Sequence, residues 1–120
     1  MIEDDLRRLL MQSIAIPVYS RLIPPKVDEA LSVQVAGGYP VKAGIRRAVH
    51  TVTLLSVSRS KSNAMRNLAI ARDFLITHIP ADVNGTHYYT VTTVGDGSTQ
   101  SRQVNGLFIE FCDLEVLASL

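Results

Sequence analysis

The chain has 120 residues, of which 47% are hydrophobic, with 12 basic and 11 acidic side chains, a net charge of +1 and one cysteine. That length suits one ordinary domain, residues 1–120, able to bury a core without disulfides or metal. The hydrophobic share excludes disorder, the charge balance gives no drive toward nucleic acid or anionic membrane, and no apolar run approaches the ~20 residues that cross a bilayer.

Residues 2–15 read as a helix, because Ile2, Leu6, Leu9, Leu10 and Ile14 recur at helical spacing. Glu3, Asp4 and Asp5 sit in its first turn, where the helix dipole favours negative charge, and Pro17 ends it. This acidic start lacks the basic and apolar regions of a signal peptide, so synthesis and retention in a cytoplasm are expected. Ile16 to Ile23 reads as extended, and Pro24-Pro25 breaks it. Leu31, Val33 and Val35 alternate with Ser32 and Gln34, the pattern of a half-buried strand. Ala36 to Arg46, with Gly37-Gly38, Pro40 and Gly44, reads as a long connection, and loops of that length are often functional.

Arg47 to Ser58 is the strongest strand signal and carries apolar groups on both faces, which predicts a central position in the sheet. Ser60-Lys61-Ser62-Asn63 offers N-cap residues for a second helix over 63–78, with Ala64, Leu68, Ala71 and Leu75 as its apolar stripe. Asn84-Gly85 marks a turn, Thr86 to Val94 a strand, and Gly95-Asp96-Gly97 a hairpin. Gln103 to Leu117 is the last strand, with a bulge or two-sided burial expected from its apolar groups on both faces. The predicted class is α+β: an antiparallel or mixed sheet of four to five strands with both helices packed on one face.

The sequence offers no recognisable chemistry. His50, His78 and His87 have no second ligand at metal spacing, and His50, inside a strand, reads as structural. There is no nucleophile elbow, no phosphate loop and no paired carboxylate constellation, so neither an enzyme nor a cofactor is expected. Cys112, in an apolar stretch, reads as a small buried residue rather than a nucleophile. Asn84-Gly85-Thr86 matches a glycosylation sequon but reads as a turn.

Charge is unevenly spread. Acids gather near the two ends, at Glu3, Asp4 and Asp5 and again at Glu110, Asp113 and Glu115; bases gather between them, at Arg46, Arg47, Arg59, Lys61, Arg66 and Arg72. Opposite patches on one fold could pair copies head to tail, so Arg46, Arg47, Arg59, Lys61, Arg66, Glu110, Asp113 and Glu115 are the candidate residues for an interface with a second copy or another protein. A surface whose solvated charges merely segregate accounts for the pattern equally well.

The order of elements resembles the tail terminators of long-tailed bacteriophages. The likeness covers nearly the whole chain: the amphipathic first helix, the Val18-Tyr19 segment with Pro24-Pro25, and the strand Leu31 to Ala36 with its long loop. It continues through the block Ala48 to Val57 followed by helix Asn63 to His78, the turn at Asp96-Gly97, and the final strand through Glu110 to Val116. The resemblance implies a subunit of a homohexameric ring at the head-proximal end of the tail. That ring would cap the tail-tube protein, stop polymerisation and offer a surface to the head connector. DNA would pass through its channel without sequence-specific binding, and no membrane would be involved. Assembly would take place in the host cytoplasm.

Three other readings fit less well. A head-completion or head-to-tail joining ring shares the size and the lack of chemistry. A ligand-binding or enzymatic oligomer would need partners for His50 or His87 from a neighbouring chain. A nucleic-acid-binding module would use Arg59, Lys61, Arg66 and Arg72, but no aromatic residues interleave them.

Overall fold

The computed structural model describes residues 2–40, 47–94 and 99–119. In chain order the elements are α1 (Ile2–Met11), β1 (Val18–Ser20), β2 (Ala30–Pro40), β3 (Arg47–Ser58), α2 (Lys61–His78), β4 (Ala81–Val83), β5 (Thr86–Thr93), β6 (Gln100–Val104) and β7 (Leu107–Ser119). The α+β class holds, but the sheet has seven strands rather than four to five, in the order β1-β2-β3-β7-β5-β4 with β6 also paired to β7. β1 runs parallel to β2, and the other pairs are antiparallel.

β3 is central, as its two apolar faces predict, and pairs along its length with β2 on one side and β7 on the other. Alternation sets the buried face: Val33, Leu54 and Cys112 lie in one cross-strand row, with Val52 and Leu114 in the next. α2 covers this face through Ala64, Asn67, Leu68, Ala71 and Leu75. Leu6, Leu9 and Leu10 of α1 join the same core above β1 and β2. Full burial of each leucine contributes roughly 1.5–3 kcal/mol.

Several boundaries differ from the sequence reading for local reasons. α1 stops at Met11, and its Leu10 carbonyl accepts from the amides of Ser13 and Ile14 at 2.9 and 3.2 Å. α2 starts at Lys61, because Ser60 is the cap and its hydroxyl accepts from the Asn63 amide at 3.3 Å. β2 continues through Gly37-Gly38 to Pro40 after a register shift between Val35 and Gly37, so much of the expected loop is strand. The rest of that loop, with Arg46, and the turn expected at Gly95-Asp96-Gly97 lie outside the described residues.

The expected last strand divides in two at Asn105-Gly106. Both residues have positive φ, 51° and 79°, the requirement of a two-residue hairpin turn. Asn84-Gly85 makes the same turn between β4 and β5, with φ of 51° and 82°. β5 and β6 lie end to end along one edge of β7, opposite residues 114–118 and 107–111. Of the two alternatives expected for the last strand, two-sided burial holds, with Ile109, Phe111 and Leu117 half-buried opposite the buried Cys112, Leu114 and Val116; a register shift falls in β5, between Tyr88 and Thr90.

Candidate interaction surface

Both helices pack on one face of the sheet, which leaves the other without a helical cover. Its side chains follow from the alternation of β3, β7 and β5, and they fall into three bands. At the end where β3 begins, the Arg47 guanidinium lies 4.2 Å from the centre of the Tyr89 ring. His87 meets Tyr89 edge-on at 4.4 Å, and its Nδ1 lies 2.8 Å from Asp82. His87 therefore has its acidic partner within its own chain and needs none from a neighbour.

The middle band is polar. Asp113 and Glu115 are exposed on β7, and Thr53 donates to Asp113 at 2.6 Å. Val49, Thr90, Thr92, Glu115 and Leu117 line a shallow cavity of about 190 Å³ here.

The third band, where β3 passes into α2, is apolar. Residues 21–27 fold over the sheet and enclose a groove of about 250 Å³ against Leu55, Val57, Leu107 and Ile109. Arg21 takes a positive φ of 69° at the bend. Its carbonyl accepts from the Ser32 hydroxyl and from Gln34 Nε2, and its guanidinium meets Glu3 at 3.2 Å. These contacts fix the wall of the groove.

The charge pattern of the sequence does not become two opposed patches. Glu3 is 8% and Asp5 1% exposed. Glu3 accepts from Arg21 and from the Val35 amide. Asp5 accepts from Asn84 and Tyr88, and burial, reinforced by Asp5, pushes the Tyr88 phenol far above its usual range. Only Asp4 of the three faces solvent, paired along the helix with Arg7 and Arg8.

The candidate interface residues scatter likewise. Arg47 lies at one end of β3, while Arg59, Lys61 and Arg66 lie at the other, about 40 Å away. Arg59 is engaged by Asp28 at 3.0 Å and Arg66 by Asn63 at 3.0 Å. Asp113 and Glu115 stay on the uncovered face, but Glu110 is 1% exposed beneath α2 and cannot contribute to an acidic surface. Strand alternation determines this, since Glu110 points the same way as Cys112 and Leu114.

Both Glu110 carboxylate oxygens are buried without a hydrogen-bond partner among the described residues, as are Ser56 Oγ and Asn67 Nδ2. Cys112 is buried, and loss of hydration pushes its thiol up to about 11, which leaves it unreactive as a nucleophile. Burial also lowers the pKa of His50 below its usual value. Among the described residues no three His, Cys, Asp or Glu side chains come together as a metal site, and no helix is long and apolar enough to cross a membrane.

The cation–aromatic pair, the apolar groove and the buried N-terminal acids were not read from the sequence. Asn84-Gly85 is the turn the sequence marks, and the second Asn-Gly, at 105–106, is the signal that would have located the turn between β6 and β7.

No protein-family model matches the chain, and no curated protein matches it. Its fold is similar to that of a chain in the virion of the native gene transfer agent particle. The two share 11% identity with a TM-score of 0.71 across 99% of this chain and 95% of the other, a likeness of fold along the whole length.

Proposed function

We propose that this protein is a structural component of a phage-like virion, and specifically that it forms a ring capping the tail tube. The observation that carries the reading is the end-to-end likeness of fold to a virion chain, at a TM-score of 0.71. The uncovered sheet face, with its apolar groove, supports an assembling role, because such a face calls for a partner. In this reading six copies close a ring on the last tube ring, stop polymerisation and present a surface to the head connector. The channel admits DNA without sequence-specific contact, and neither catalysis nor a cofactor is required. The protein would reside at the head-proximal end of the tail, after assembly in the host cytoplasm.

The test is solution mass by light scattering across concentration, negative-stain imaging, and incubation with isolated tail tubes. Six-fold rings that seat on tube ends support the reading. Rings that bind the portal and ignore tubes would transfer it to a head-completion or head-to-tail joining adaptor. A protein that forms no ring, alone or on tubes, overturns it.

A further inference from the structure

The groove on the uncovered face has an aliphatic floor, made by Leu55, Val57, Leu107 and Ile109, and a wall that the chain holds in place. The Val27 amide donates to the Pro24 carbonyl at 3.0 Å and closes a turn, and the Arg21 amide donates to the Val33 carbonyl at 2.9 Å. The floor continues toward the sheet edge, because Val104 of β6, 42% exposed, is the register partner of Leu107 and shares its face. At about 250 Å³ the groove is smaller than the ~300–1,000 Å³ of small-molecule sites, and it matches one large anchoring side chain.

Charge is distributed unevenly around this floor. Arg21 lines it, Lys26 is at the tip of the 24–27 turn, and Arg102 is the register partner of Ile109. The acids nearby are Glu3, Asp28 and Glu29, and each is already engaged, by Arg21, Arg59 and the Ser58 hydroxyl. Lys26 and Arg102 are exposed and have no acidic partner among the described residues. They stand on opposite sides of the floor, Lys26 on the loop after β1 and Arg102 on β6, with β2, β3 and β7 between. Along the strands the sign changes, since Asp113 lies four residues past Ile109, about 13 Å away. A segment laid across the strands therefore meets two cations, and one laid along them meets acids.

We propose that the groove is a docking site for a short acidic segment of another protein. One apolar side chain of that segment sits on the floor, and carboxylates on either side of it meet Lys26 and Arg102. The anchor supplies most of the affinity, while the two cations set the segment's direction across the strands and reject basic competitors. Nucleic acid matches the cations but not the floor, where no aromatic ring is present for a base to stack on. The inference rests on the assembling role proposed for this face, but it concerns the single chain and does not need a ring.

The test measures binding of dye-labelled, capped pentapeptides to the full-length protein by fluorescence anisotropy. The probe has phenylalanine at its centre and two acidic residues on each side. A peptide with alanine at the centre, and one with lysines in place of the acids, should each bind at least about fivefold more weakly. Lys26→Glu with Arg102→Glu changes two exposed side chains, so melting should match the wild type, and the order of the acidic and basic peptides should invert. Absence of binding at millimolar peptide, an alanine peptide as tight as the phenylalanine one, or an order that the double variant leaves unchanged overturns the inference. So does a single-stranded oligonucleotide that displaces the peptide and is itself lost in the double variant, which would assign the surface to nucleic acid. Self-association that disappears in the double variant would assign the groove to a second copy and overturns it too. Rings are scored separately by light scattering and imaging, so a chain that forms rings and ignores the peptide sinks this inference alone, and one that binds the peptide without forming rings sinks only the tube cap.

Discussion

Asp5 and Tyr88, 83 residues apart in the chain, share a buried hydrogen bond of 2.5 Å. Asn84 donates to the other Asp5 oxygen at 3.0 Å, so the first helix is tied to the β4–β5 hairpin by a carboxylate with 1% exposure. Tyr88→Phe leaves that carboxylate short of a donor. Urea unfolding should show a loss of about 2 kcal/mol, within the usual range for a hydrogen bond to a buried charge. The same pair makes stability sensitive to alkali. Tyr88 titrates higher in the folded chain than its ordinary 10.0, so its contribution is present below pH 10 and lost as the pH rises above it. A Tyr88→Phe chain should lose less stability than wild type over that window.

Among the described residues Glu110 has neither an ion-pair partner nor a hydrogen bond. A buried polar group left unsatisfied costs stability, so Glu110→Leu should raise the urea midpoint, by about 1–3 kcal/mol in stability, with assembly unchanged. If Glu110 belonged to an exposed interface, as its place among the C-terminal acids suggests, the same variant would disrupt assembly and leave stability alone. The two measurements separate these roles.

What the sequence makes legible here is local and periodic. β3 and α2 read correctly because each carries a long pattern and, at Ser60, a cap. β4 and β1, at three residues each, are too short for any period to emerge and exist because their neighbours pair with them. The interaction surface was less legible for a different reason. Linear clustering of charge says nothing about direction: Glu3 and Asp5 turn inward while Asp4 turns outward, and a 12-residue strand carries Arg47 far from Arg59. The turn at Asn105-Gly106 was legible in principle, and it can be tested. Gly106 has a φ of 79° with no atom within 4 Å of an added Cβ, so Gly106→Ala should cost only the backbone strain, about 1–2 kcal/mol by chemical denaturation.

His50, half-buried on β3, supplies an acid-side prediction. Its pKa is lowered from 6.5 by burial, so the unfolded chain takes up a proton before the folded one does. The His50 contribution is therefore intact above pH 6.5 and is lost as the pH falls toward the lowered folded value. Melting followed between pH 7 and about pH 5 should show a decline that His50→Gln flattens, against the background of the carboxylates that titrate lower.

Salt distinguishes an interface built from charge from one built on the apolar groove. The bases Arg47, Arg59, Lys61 and Arg66 are divided between the two ends of β3, and Arg59 and Arg66 already have partners in their own chain. A contact through the apolar groove at Leu55, Val57, Leu107 and Ile109 would remove hydrocarbon from water instead, and screening does not weaken that. Raising the ionic strength about tenfold should therefore leave the assembly midpoint unchanged or lower it, as light scattering would register. A midpoint that climbs steeply with salt would return the argument to the charges and point to Arg47, Asp113 and Glu115 as the residues to reverse next.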